Sequence, residues 1–165
     1  MIATRGTVQS ARFAQLRDAF SDSTEFRAQA CDGLVKAIER SVEEDPVTGP
    51  SIAEIEQLCQ RYTGALGNFG LRTGDIDTLV LGCTHYVFIK DQLRSIIGPD
   101  VHIIDTGAPV ARQTRRILVQ RDMLATESGN QGKVHLYTTG PLSALQAAAK
   151  RWMDLPADHC SALPA

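Results

Sequence analysis

The chain has 165 residues, 43% of them hydrophobic, and a formal net charge of -2, enough apolar material for the core of one ordinary globular domain. Acidic and basic residues are interleaved, which excludes the electrostatic footprint of a nucleic-acid binder or a polybasic membrane binder and leaves small-molecule or protein partners. No stretch reaches the roughly 18 apolar residues of a membrane span, and no charged region followed by an apolar stretch opens the chain, so a cytoplasmic protein is expected.

Met1-Ile2-Ala3-Thr4 reads as the end of a strand, and Thr7 is placed to cap a helix carrying Val8, Ala11, Phe13, Leu16 and Phe20. Thr24 to Ala30 is a second short strand. Cys31-Asp32-Gly33 turns into a short helix with Leu34, Val35 and Ile38 inward and Glu39 at its end. Residues 41–50, with Glu43, Glu44, Asp45, Pro46, Gly49 and Pro50, read as a solvated loop. Ser51 then caps a helix in which Ile52, Ile55, Leu58, Cys59 and Tyr62 recur at helical spacing, so Cys59 is a core residue.

Asp77 to Gly82 is too continuously apolar for a half-exposed strand and predicts a central parallel strand covered on both faces. A helix over Val87 to Ile97, a strand over Val101 to Ile104 and a helix over Pro109 to Arg121 follow. Residues 125–132 read as a loop, Val134 to Thr138 as a strand and Ser143 to Trp152 as a helix, with no regular structure expected from Leu155 onward. Strands alternating with helices across short turns define an α/β fold, a mainly parallel sheet flanked by helices. In such sheets ligands bind beyond the carboxyl ends of the strands. Thr4, then Cys83 with Thr84 and His85, then Asp105 with Thr106, all stand at ends of that kind.

The four cysteines, Cys31, Cys59, Cys83 and Cys160, include no Cys-x-x-Cys pair, which points to free thiols rather than a zinc site or a disulfide framework. A free cysteine is by default a small buried hydrophobe. Cys83 is set apart by its position between a buried strand and a helix, where backbone N–H groups and the helix dipole favour a thiolate. Thr84 adds a hydroxyl and an N–H for an anion, and His85 can hold or relay a proton. A tight strand exit with no chemistry is the competing reading. Glu39 alone is a solvated carboxylate, Asp105-Thr106 is first an N-cap, and no function is assigned to His102, His135 or His159.

Leu79-Val80-Leu81-Gly82-Cys83-Thr84-His85-Tyr86, with Ile103-Ile104-Asp105-Thr106-Gly107-Ala108-Pro109-Val110-Ala111, resembles in letters and spacing the second half of glutamate racemases, of the aspartate/glutamate racemase superfamily. Ile2 to Ser10, Cys31 to Val35 with Glu39, and Leu136 to Gly140 are similar to further segments of those enzymes, so the resemblance covers about residues 1–153. It implies a Rossmann-like second domain over residues 1–122, a strand and helix over 133–153 that return to the first domain, and a disordered tail over 154–165. It also implies cofactor-independent interconversion of L- and D-glutamate for peptidoglycan synthesis, by two thiols acting on opposite faces of the substrate. On that pattern Cys83 is one acid/base, His85 with Glu39 tunes it, and Thr84, His85 and Thr4 contact glutamate. No cofactor, metal, nucleic acid or membrane is implied, and homo-oligomerisation is left open.

The chain departs from that pattern in lacking the first half and its cysteine, and the opening at Met1, part-way into an expected strand, leads to the expectation of a fragment or truncated product. Asp32 and Val87 stand where the family usually has Pro, and the acidic loop at 41–50 is longer. Exposed apolar surface is expected where the first domain would pack. A non-catalytic remnant or interaction module with the same fold, and a racemase for another small carboxylate, are the alternative readings. His85 stands where the aspartate-type relatives generally carry Glu.

Overall fold

The computed structural model describes residues 1–45, 48–125 and 132–164. Two short strands open the domain, β1 (Ile2–Ala3) and β2 (Gln29–Ala30), separated by the helices α1 (Arg5–Val8) and α2 (Ala11–Ala19). Next come α3 (Leu34–Ser41), α4 (Pro50–Gly64) and β3 (Thr78–Gly82), then a 3-10 turn over Thr84–Ile89 that runs into α5 (Lys90–Ile97). The chain continues through β4 (His102–Ile104), α6 (Gly107–Gln120), β5 (Leu136–Thr138), α7 (Leu142–Met153), a 3-10 turn over Ala157–His159 and β6 (Cys160–Ala162).

Four of the strands form one parallel sheet in the order β2-β1-β3-β4, and β5 pairs in parallel with β6 in a separate two-stranded sheet. The expected α/β architecture, a mainly parallel sheet flanked by helices, is the one observed. Burial supplies the reason. Leu79 and Leu81 of β3 and Ile2 of β1 meet Leu34, Ala37 and Ile38 of α3, Ile55, Cys59 and Tyr62 of α4, and Leu93 and Ile97 of α5 in one apolar cluster. Removing that surface from water is the main favourable contribution to the fold.

Several local expectations are corrected. The first helix is broken at Gln9–Ser10, and Ser10, not Thr7, caps α2 by accepting a hydrogen bond from the Phe13 N–H; the Thr7 hydroxyl pairs with that of Thr4 at 3.0 Å. No residue of α2 is buried, and Leu16 and Phe20 are each about half exposed. The second strand keeps only Gln29 and Ala30, the residues that register with Ile2 and Ala3. Helix α4 starts at Pro50, whose missing N–H suits the first helical turn. Ser51 instead donates its hydroxyl and N–H to the Glu44 carboxylate, at 2.7 and 2.8 Å. That contact ties down the loop expected to be solvated, of which Pro46 and Val47 lie outside the described residues.

Strand β3 is central by position, but only Leu79 and Leu81 are buried while Thr78, Val80 and Gly82 are half-buried. One face is therefore well covered and the other is not, contrary to the two-sided cover expected from its composition. Helix α6 likewise buries no residue, and Val110 is 60% exposed. The loop expected over 125–132 falls almost wholly on residues 126–131, outside the described residues. The segment beyond Leu155, expected to lack regular structure, contains a 3-10 turn over Ala157–His159 and the strand β6. Its residues Cys160, Ser161 and Ala162 register with Leu136, Tyr137 and Thr138, because α7 provides the right length of crossover between them.

Gly82 governs how closely β1 and β3 approach. A Cβ there would lie 2.9 Å from the Ala3 Cβ and 3.2 Å from the Ile2 carbonyl oxygen, and backbone cannot yield as a flexible side-chain tip does. Gly82→Ala is expected to lower unfolding stability by about 1–3 kcal/mol, measured by urea denaturation; a change within a few tenths would show that the two strands separate freely.

Candidate active site

The sheet order brings three strand ends side by side. Ala3 registers with Gly82, and Val80 registers with Ile104, so Thr4, Cys83 and Asp105 follow the carboxyl ends of adjacent strands. Thr4 is half-buried, Cys83 is half-buried and Thr84 is exposed. The Thr4 hydroxyl is engaged by Thr7. Arg5 forms an ion pair with Asp32 at the β1 and β2 ends, and the Asp32 carbonyl accepts the Tyr62 hydroxyl at 2.7 Å.

Cys83 has extended backbone geometry and caps a six-residue 3-10 turn rather than the α-helix expected from Val87. Aligned peptide dipoles along so short a turn do less for a thiolate than an α-helix would. His85 Nδ1 lies 3.8 Å from Cys83 Sγ, and His85 Nε2 lies 3.2 Å from the Glu39 carboxylate. Glu39 reaches His85 because α3 packs against the turn after β3, with Ile38 buried beside it. Carboxylate, imidazole and thiol thus form one continuous chain of polar groups, the arrangement by which a base is oriented and a proton moved.

At the β4 end, Lys90 donates to the Asp105 carboxylate at 2.9 Å, and the Gly107 N–H donates to it at 3.0 Å. The Lys90 ammonium and those backbone N–H groups hold the Asp105 carboxyl below its usual range. Thr106, not Asp105, occupies the N-cap position of α6, although the Asp105 side chain satisfies one of that helix's first N–H groups. Lys90 was not legible as a site residue, since a lysine at the start of an amphipathic helix carries no local sign of its partner.

The remaining thiols differ in kind. Cys31, Cys59 and Cys160 are buried. Burial pushes the Cys31 and Cys59 thiols up to about 12, which keeps both neutral near neutral pH. His102 and His135 are exposed, and the His135 ring pairs with the Ser161 hydroxyl at 2.9 Å. Among the described residues no group of three or more His, Cys, Asp or Glu could hold a metal ion, and no helix is long and apolar enough to cross a membrane.

Glu39 and His85 also line a cavity of about 280 Å³, walled by Ile38, Phe88, Leu145 and Trp152 among others. Cys83 and Thr84 are not among the residues that line it. Phe88 and Trp152, stacked at 4.8 Å, were not legible as site residues. The single tryptophan of the chain was the only available signal.

Two thiol classes give two predictions. Brief treatment of the folded chain with iodoacetamide should label Cys83 and leave Cys31, Cys59 and Cys160 unmodified until denaturant is added, as read by peptide mass spectrometry. Because the Cys31 and Cys59 values are raised on folding, the folded state binds more protons than the unfolded one in alkaline solution. Their stabilising contribution is complete below the unfolded thiol value and is lost as pH climbs toward about 12. Thermal midpoints should therefore fall between about pH 8 and 10.5, and fall less in Cys59→Ala; an equal fall in that variant would contradict the assignment.

No protein-family model matches the chain. A glutamate racemase from Ectopseudomonas mendocina is 39% identical over 147 residues, 89% of this chain and 51% of the relative. One from Pseudomonas putida is 40% identical over 146 residues, 88% of this chain and 50% of the relative. Among solved structures, a glutamate racemase isoform of Bacillus anthracis superposes with a TM-score of 0.76 at 27% identity, covering 99% of this chain and 55% of that one. The Escherichia coli glutamate racemase, solved with L-glutamate and the activator UDP-MurNAc-Ala, shares the fold with a TM-score of 0.64 at 20% identity, over 91% of this chain and 53% of that one. By sequence and by fold the chain is similar to part of a glutamate racemase, and it spans about half the length of the curated relatives it matches.

Proposed function

We propose that this chain supplies one of the two acid/base thiols of a cofactor-independent glutamate racemase. The observation that carries the reading is the contact sequence from Glu39 through His85 to Cys83, at 3.2 and 3.8 Å, beside three converging strand ends. Cys83 as thiolate removes the α-proton from one enantiomer of glutamate, and as thiol returns a proton to the same face in the reverse direction. His85 holds or releases the proton that moves to and from Cys83, and Glu39 keeps the imidazole in the tautomer and orientation that allow it. Thr84, through its exposed side chain, and Thr4, on a neighbouring strand end, contact the substrate.

Inversion needs a second group on the opposite face of the α-carbon. Cys31, Cys59 and Cys160 are buried and unsuited to it, so that thiol belongs to the portion of a racemase these residues do not span. On this reading residues 1–122 are the second α/β domain, and the unit from β5 through α7 packs on the first. Strand β6 extends that unit to Ala162. The product serves peptidoglycan synthesis in the cytoplasm.

The test is proton exchange. Incubated with D-glutamate in deuterated water, the chain should introduce α-deuterium without racemisation, and Cys83→Ser should lower the exchange rate by about 10²-fold or more. His85→Gln should lower it by a smaller factor. A folded chain that binds glutamate and exchanges nothing, or a Cys83→Ser variant that exchanges at the parent rate, would contradict the proposal.

A further inference from the structure

Helix α7 reaches the polar chain behind Cys83 from more than 60 residues further along the sequence, and it does so through two adjacent side chains. The Trp152 ring stacks on Phe88 with centroids 4.8 Å apart and planes 17° from parallel. The Arg151 guanidinium stands 5.1 Å over the Trp152 ring and donates to the Glu44 carbonyl at 2.9 Å. One contact therefore lands on the 3-10 turn that carries His85, and the other lands just beyond the end of the helix that carries Glu39.

Phe88 is three residues after His85 on that turn. Residues three apart on a 3-10 helix lie on the same side, so a ring held at Phe88 fixes the turn under His85 as well. Trp152, Phe88, His85 and Glu39 all line the same cavity, whose other walls are apolar. The Glu39 carboxylate and the His85 ring are each partly exposed, and a contact between two such groups holds one geometry only where its supports are rigid.

We propose that Trp152 is a positioning residue for the Glu39–His85–Cys83 chain: in contact with both Phe88 and Arg151, it holds the turn that carries His85 and the segment just after the Glu39 helix at the separation that places the imidazole against the thiol. The proposal rests on reading Cys83 and His85 as the reacting pair. It assigns a role to α7 that packing alone does not require, since a core residue of any suitable apolar shape would fill the same volume.

The test follows iodoacetamide alkylation of Cys83 in the whole chain, from mildly acidic to mildly alkaline buffer, with circular dichroism to confirm folding. Trp152→Leu should change the rate by about threefold to tenfold and reshape its pH dependence as His85→Gln does. Trp152→Leu combined with His85→Gln should add nothing to His85→Gln alone, and Trp152→Phe, which retains a ring to stack, should restore the parent profile. A folded Trp152→Leu chain with the parent profile, or a Trp152→Phe chain no closer to the parent than Trp152→Leu, would overturn the proposal. Phe88→Leu removes the stack from the other side, is read in the same way, and decides the matter if Trp152→Leu fails to fold. Alkylation needs no glutamate, so the expected pattern in a chain that shows no α-proton exchange would support the positioning role while contradicting the racemase reading.

Discussion

The contact on which the candidate site depends is the one between Glu39 and His85, at 3.2 Å. A histidine two residues after a cysteine has no fixed orientation of its own, and a ring free to rotate lends nothing reliable to a thiol. What constrains it is the packing of α3 against the turn that follows β3, with Leu34, Ala37 and Ile38 buried against Tyr86 and Ile89. Apolar burial on one side of α3 thus fixes a polar contact at its edge. The link from core to chemistry is short, since Ile38 and Glu39 are consecutive residues facing opposite environments.

The sheet supplies the other half of the constraint. Parallel pairing of β1, β3 and β4 delivers Thr4, Cys83 and Asp105 to one edge, and Gly82 permits the approach of β1 to β3 without a side chain between them. Ligands of open α/β sheets bind at such edges because strand ends leave backbone groups and turn residues unpaired there. Burial separates the thiols further, leaving Cys83 as the half-buried one of four. The same residue thereby combines access, a neighbouring imidazole and a strand-end position.

Much of this was legible in the sequence because it is local. The Gly82-Cys83-Thr84-His85 run stands at the junction of strand and turn whatever surrounds it, and the apolar runs of β3 and β4 mark the strands, although not how far each is covered. Glu39 was within reach only through the family resemblance, since nothing in its neighbourhood marks it as a partner of a residue 46 positions away. Trp152 and Lys90 were not legible for the same reason, their partners being set by tertiary packing. Misreadings arose where spacing stood in for surroundings. Leu16 and Phe20 fall at helical intervals yet remain exposed, and among the described residues α2 buries none of its side chains. Cys160-Ser161-Ala162 lacks the apolar content of a strand but becomes one by pairing with β5, a non-local event.

The central claim is that Glu39, His85 and Cys83 act as one unit, and a double-mutant cycle tests it most directly. The alkylation rate of Cys83 would be measured in the parent chain, in Glu39→Gln, in His85→Gln and in the combined variant. If the carboxylate acts through the imidazole, the combined variant reacts at the rate of His85→Gln alone, and the two effects are strongly non-additive. Effects that add independently, or a Glu39→Gln chain that reacts at the parent rate, would contradict the account.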